Sequence, residues 1–207
     1  MNTKAAIIFI AATVAVLAGV VGLLWTFGGG TGESAKPIAG IEGQMLHKQG
    51  VGPVVVTEFS DFQCPACRAV HEPLKQVLAK YQGKVTFVYR YFPLISIHQN
   101  AMNSALAAEA AGRQGKFWEM GDTLFAKQEE WQGLADPKAT FVGYAKAMGL
   151  DEAKFAADMN SQEVKDVVTT DLTAANGFNL QGTPSIFVNG VLTDFANVDA
   201  TIAKEIK

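Results

Sequence analysis

Residues 54–80 read VVVTEFSDFQCPACRAVHEPLKQVLAK, and this stretch decides the fold. It opens on Val54-Val55-Val56-Thr57-Glu58-Phe59, an apolar, largely β-branched run suited to a strand. From Arg68 to Leu78 the pattern turns helical. Between the two stand Cys64 and Cys67, the only cysteines among 207 residues. The sulfurs therefore fall at a strand-to-helix junction, near a helix N-terminus. Pro65 suits the first turn of that helix, where its missing N–H would go unpaired anyway. Pro73 lies inside the helix and predicts a kink.

Outward from this junction, Pro53 to Phe59 is expected as a central strand buried on both faces. The helix is expected over about 65–81, ended by Gln82-Gly83. Lys84 to Phe92 (KVTFVYRYF) reads as a second strand closed by Pro93. Strand, helix, strand makes a right-handed unit with parallel strands. From Gln99 to about Asn176 the pattern is helical. Ala101 to Ala111 is alanine-rich, and Lys116 to Lys127 carries Phe117, Met120, Leu124 and Phe125 on one face. Pro137 opens a further helix, and Asp151 and Ser161 are placed to cap two more. Trp118 and Trp131 read as packing within this block. Thr183 to Val188 returns to strand, Asn189-Gly190 is a two-residue hairpin signal, and Val191 to Phe195 is expected to pair back. Asn197 to Ile206 closes the chain as a helix. The fold class is thus α/β, in a domain spanning 53–207 with a helical insertion at about 98–176.

Toward the N-terminus, Pro37 to Gly52 reads as an irregular lead-in, and residues 28–36 (GGGTGESAK) as a flexible tether, together making 28–52. Residues 5–27, AAIIFIAATVAVLAGVVGLLWTF, carry no charge and are long enough to cross a bilayer core. Lys4, in the short segment 1–4, keeps that end inside by the positive-inside rule and leaves the rest of the chain outside. A retained anchor is the leading reading, because the stretch exceeds the usual signal-peptide core and no small-x-small site follows Phe27. A cleaved signal is the alternative. The expected location is the inner, cytoplasmic membrane, single-pass, with the domain facing the periplasm or cell exterior, or secretion after cleavage.

Net charge is −3, and residues 1–36 contribute Lys4, Lys36 and Glu33, leaving −4 for the remainder. Mild acidity without a Lys/Arg run argues against nucleic acid as a partner. Two cysteines cannot staple a scaffold, and a domain of this size needs no staple. An otherwise cysteine-free chain fits an oxidising compartment.

The thiolate, not the thiol, attacks a disulfide. Unpaired N–H groups at the helix N-terminus favour the thiolate of Cys64, while Cys67 lies a turn further in and is more shielded. Cys64 therefore exchanges with substrate through a mixed disulfide, and Cys67 resolves it. Glu58 is an acid in an apolar strand, costly there unless functional or paired. Burial would raise its pKa and suit it to moving the Cys67 proton; otherwise it points to water from a strand edge. Structural zinc is disfavoured, since four ligands are usual and only His47, His71 and His98 could join the cysteines. A structural disulfide across so short a loop would constrain the unfolded chain little. His71 reads as a surface residue and His98 as a candidate lining the site. No cofactor and no metal are expected.

Taken together, residues 58–67 (EFSDFQCPAC), Arg90-Tyr91-Phe92-Pro93-Leu94 and Gly182-Thr183-Pro184-Ser185 resemble the DsbA-like thiol–disulfide oxidoreductases of the thioredoxin superfamily. The likeness is to the membrane-anchored or exported bacterial type and covers about residues 50–195. It implies a thioredoxin fold with an inserted helical subdomain. It implies a cis bond before Pro184, which would lie beside the cysteines and offer backbone to an extended peptide, with Thr183, Pro65 and Ala66 as substrate contacts. It puts Glu58 at the family's buried-acid position. It implies unfolded exported proteins with free thiols as substrates, a membrane-bound quinone-linked reoxidant, and a monomer, since no room precedes the first strand for a dimerisation domain. Strongly oxidising relatives often carry His where this chain has Ala66, which cannot hydrogen-bond to the Cys64 thiolate. The leading expectation is a dithiol oxidase. A reductase or isomerase of the same fold, and a non-catalytic membrane-tethered chaperone that binds peptide, are the alternatives.

Overall fold

The computed structural model describes residues 36–206. The expected anchor or signal at 5–27 lies outside the described residues, as does the tether up to residue 35. Among the described residues no helix is long and apolar enough to cross a membrane.

The strand-to-helix junction forms as its sequence suggests. Strand β2, Val54–Ser60, leads into helix α1, Pro65–Lys80, and the chain returns as β3, Val85–Tyr91. β2 and β3 are parallel and in register from Val54↔Val85 to Ser60↔Tyr91. Helix α1 runs on through Pro73 as one helix. β4, Ser185–Val188, pairs antiparallel with β2 on its other side and turns into β5, Val191–Leu192. Asn189 and Gly190 both take positive φ, 47° and 80°, the backbone a two-residue hairpin of this hand requires.

The lead-in holds a strand that sequence periodicity did not reveal. His47–Gln49, β1, pairs antiparallel with β3 and gives the sheet the order β1-β3-β2-β4-β5. Three polar residues carry no apolar alternation, so only backbone pairing reveals the strand. The expected return strand to Phe195 is shorter than read, because the closing helix, α8, already starts there and spans Phe195–Glu205.

Six helices stand between β3 and β4: α2 (Ala101–Gly112), α3 (Phe117–Ala126), α4 (Gln128–Trp131), α5 (Lys138–Ala147), α6 (Glu152–Met159) and α7 (Gln162–Gly177). The short α4 was not anticipated; four residues are too few to show a period. Asp151 and Ser161 cap α6 and α7, their side chains accepting from the N–H of Lys154 and Val164. Trp131 is fully buried in the core of this block, beside Phe141.

The period of two along each strand sorts the core. Val54 and Val56 of β2, with Ile186 and Val188 of β4, pack beneath α1 and α8 through Leu74, Val198 and Ile202. Phe59 and Phe187 face the opposite side, against Ala175 of α7. Continuing the alternation past Val56 puts Glu58 on the α1 face, beneath the helix that carries the sulfurs.

Candidate active site

Cys64 is the N-cap of α1, with extended backbone (φ −70°, ψ 123°) and Pro65 at the first helical position. Its N–H donates to the Asp61 carbonyl at 3.0 Å, and its own carbonyl accepts from the Arg68 N–H at 3.1 Å. Both cysteines are free thiols. Cys64 retains 6 % exposure and Cys67 none, so only Cys64 meets a partner from outside. Pro65 and Ala66 between them are exposed.

The Thr183–Pro184 bond is cis. This segment lies against Cys64, whose Sγ is 3.5 Å from the Thr183 carbonyl oxygen. Thr183 and Pro184 are both half-exposed there, whereas the Thr183 hydroxyl is buried with no partner among the described residues.

The two sulfurs are electrostatically unlike. Cys64 is lowered from the ordinary 9 to about 5. The largest cause is the Cys67 thiol, which donates to the Cys64 thiolate, and it outweighs the cost of burial. The backbone N–H groups of Cys67 and Ala66 add to it. Ala66 thus contributes through its backbone what its side chain cannot. Cys67 is driven upward, first by burial, then by the hydrogen bond it gives to Cys64 and by the negative charge of Glu58.

Glu58 is buried at 3 % exposure. Its carboxylate accepts one hydrogen bond, from the Ser60 hydroxyl at 2.9 Å. Burial raises it from 4.5 to about 7, against the opposing effects of Ser60 and His71. It does not point to water from a strand edge: β2 is the central strand, and Glu58 faces inward from it.

Several contacts around the motif have no local sequence signature. Gln128 of α4 is buried, and its amide donates to the carbonyls of Phe62 (2.8 Å) and Cys64 (3.3 Å), holding the cap residue. Asp61 binds the N–H of Gln63 and of Leu94 and the His98 ring. His98 therefore clamps the loop after β3 to the motif. His71 does not lie free on the surface: its ring is half-buried against Phe125, with Nε2 2.7 Å from Asp122 Oδ1. His47 pairs with Glu109 inside the fold, 2.6 Å away. Each of these depends on residues distant in the chain, which a local pattern does not reveal.

A family model described as Thioredoxin matches residues 50–207. The chain is 38 % identical over 143 residues to the Na(+)/H(+) antiporter NhaA 1 of Mycolicibacterium vanbaalenii, covering 67 % of this chain. It spans only 22 % of that protein, and a similar fifth of the other antiporters it matches. It is 34 % identical over 166 residues to the probable disulfide bond formation protein D of Bacillus cereus, covering 75 % of each chain. Among solved structures, oxidised BdbD from Bacillus subtilis shares the fold, with a TM-score of 0.70 over 84 % of this chain and 97 % of that one, at 24 % identity.

Proposed function

The chain belongs to the thioredoxin family, with its DsbA-like thiol–disulfide oxidoreductases, and from that premise we propose that it is a dithiol oxidase acting on extracytoplasmic proteins. The observation that carries this reading is the asymmetry of the pair. Cys64 is an accessible, strongly stabilised thiolate, and Cys67 is a buried thiol held neutral. A stabilised Cys64 thiolate favours the reduced form of the pair and so makes its disulfide the better oxidant.

In the forward direction a substrate thiolate attacks Cys64 Sγ of the Cys64–Cys67 disulfide. The new bond joins substrate sulfur to Cys64, and Cys67 leaves as thiolate with the electron pair. Cys67 is buried and does not remain charged; it takes the proton of Glu58, which is poised near neutrality. A second substrate thiolate then attacks the first substrate sulfur. This releases Cys64 as thiolate and leaves the substrate oxidised by two electrons. Thr183 and Pro184 lie where the peptide carrying the first sulfur would run, and Pro65 and Ala66 form the exposed lip opposite. Ile95 and Ile97, exposed on the loop that Asp61 ties to the motif, offer apolar contact to an unfolded chain. The apolar run at 5–27 supports tethering at, or export across, the cytoplasmic membrane. A membrane-bound quinone-linked reoxidant would accept the electrons, and the domain would act as a monomer.

The test is alkylation and redox equilibration of the reduced protein. One thiol, Cys64, should react with iodoacetamide with a rate that titrates near pH 5, and Cys64→Ser should abolish oxidation of a dithiol peptide. The reduction potential should lie well above the roughly −270 mV of thioredoxin. A potential at or below that value overturns the oxidase reading in favour of a reductase. Peptide binding and biological function that survive Cys64→Ser overturn it in favour of a chaperone.

A further inference from the structure

A cavity of about 400 Å³ opens beneath the active-site helix, between α1, α3 and the sheet. Phe62, Leu74, Phe87 and Phe125 supply much of its apolar wall. At its inner end stand Glu58 of β2 and Tyr89 of β3, directly opposite one another in the parallel register and so on the same face of the sheet. At its outer end stand His71 and Lys75 of α1 and Asp122 of α3. Exposure rises in that order: Glu58 and Tyr89 are buried, the His71 side chain is 19 % exposed and that of Asp122 45 %.

Two features mark the inner end as unfinished. The Tyr89 hydroxyl is buried and has no hydrogen-bond partner among the described residues. Glu58 has only Ser60. Buried polar groups are nearly always satisfied. A water needs only about 10–15 Å³ and two to four polar partners, so this cavity has room and partners for several. At the outer end, Asp122 Oδ1 holds His71 Nε2 at 2.7 Å, and Lys75 Nζ donates to Asp122 Oδ2 at 2.9 Å. The Glu72 carboxylate lies 3.9 Å from the same His71 nitrogen. The other ring nitrogen of His71 has no protein partner among the described residues.

We propose that this cavity is the route by which Glu58 exchanges its proton with solvent, through water held by Tyr89, with the His71–Asp122 pair as the relay at its outer end. The inference rests on Glu58 being the proton partner of Cys67. When Cys67 departs as thiolate and takes the Glu58 proton, a carboxylate is left in an apolar site. One proton then passes from solvent to His71, and from His71 through water to Glu58. On reoxidation the same proton leaves by the reverse path. No electrons move along this route. His71 touches neither sulfur nor substrate; it acts through Glu58. The groups facing Glu58 and His71 are Glu72 and Lys75 from α1, Asp122 from α3, Ser60 from β2, Tyr89 from β3, and the two sulfurs.

The test is single-turnover reduction of the oxidised full-length protein by a dithiol peptide, from about pH 5 to about pH 9, for the parent and His71→Gln. Gln keeps a donor for Asp122 and so keeps the contact between α1 and α3. Expected is a roughly tenfold slowing of the Cys67 step near neutrality, smaller than the roughly hundredfold or more that a directly positioned acid or base contributes, because His71 acts through Glu58. The pH profile should change, and added imidazole, small enough for the cavity, should restore the rate. Cys64 alkylation should be untouched. The Glu58 carboxyl, followed by infrared titration, should titrate higher in His71→Gln, because the lowering effect of His71 on it is lost. Superimposable pH–rate profiles, or a loss equal at every pH that imidazole does not restore, overturn the relay. So does a Glu58 titration indifferent to His71. If the parent protein itself fails to exchange disulfides, the enzymatic reading falls, and the relay with it.

Discussion

Glu58 and Asp61 are carboxylates three residues apart, both buried, at 3 % and 2 % exposure, and the fold treats them in opposite ways. Asp61 accepts three hydrogen bonds: from Gln63 N at 2.8 Å, Leu94 N at 3.0 Å and His98 Nδ1 at 2.7 Å. Glu58 accepts one, from Ser60. The difference follows from position. Glu58 lies within β2, whose backbone N–H groups are spent on β3 and β4. Asp61 lies just past the strand end, where the chain turns and free N–H groups can converge on a side chain. Burial alone therefore does not mark a proton-transferring acid. Burial without donors does, because the charged form is then left uncompensated.

Removing the well-satisfied acid should have the largest effect on stability. Asp61→Ala leaves two backbone N–H groups and the His98 ring without their partner, and the loop after β3 loses its tie to the cysteine motif. We expect a loss of roughly 3–5 kcal/mol in urea unfolding. A cost below about 1 kcal/mol would mean that the three hydrogen bonds to Asp61 do not hold the loop to the motif.

Glu58→Gln should do the reverse, and only above acid pH. Burial raises Glu58 from 4.5 to about 7 in the folded reduced protein. Between those values the folded state holds a proton that the unfolded state has released, so stability falls as pH rises through this window. The full penalty, roughly 3 kcal/mol, stands above pH 7 and is absent below about pH 4.5. The glutamine variant should be the more stable protein at about pH 8.5, with the difference closing at about pH 4, while its Cys67 step slows. Equal stability at both pH values would show that Glu58 is as well compensated as Asp61.

This contrast explains what the sequence disclosed and what it withheld. β2, α1 and β3 were legible because apolar period and turn residues are local properties. Cys64, Cys67 and Glu58 were legible because an isolated cysteine pair and an acid in an apolar run stand out in one dimension. The Thr183–Pro184 segment lies far away in the chain, and its place beside Cys64 came only through family likeness. β1 and α4 are too short to carry a period. Gln128, His71 with Asp122, and Tyr89 look ordinary in the sequence; their significance comes from what the fold sets against them. Asp61 sat in the quoted motif without a role, since nothing local shows that Leu94 and His98 converge on it.

A smaller effect is expected from His98→Ala, which removes one of the three donors to Asp61. The cost should be about 1–2 kcal/mol. The pH dependence of disulfide exchange should stay that of the parent, because His98 holds the loop and faces neither sulfur nor Glu58. A displaced pH–rate profile in this variant would move His98 from the clamp into the proton path.

The smallest effect is expected at Ser60. Ser60→Ala strips Glu58 of its single donor, the hydroxyl at 2.9 Å. A hydrogen bond to a carboxylate favours the charged form, so its loss should raise Glu58 further, by about one pH unit, the equivalent of one net hydrogen bond. The Ser60 hydroxyl also lowers Cys67, so its removal should hold that thiol more firmly neutral as well. The alkaline limb of the Cys67 step should move upward by the same increment, while Cys64 alkylation still titrates near pH 5. If the donor count sets the character of a buried acid, removing one donor makes Glu58 still less like Asp61. A Glu58 titration that stays put or falls in Ser60→Ala would mean that something other than missing donors holds it near neutrality.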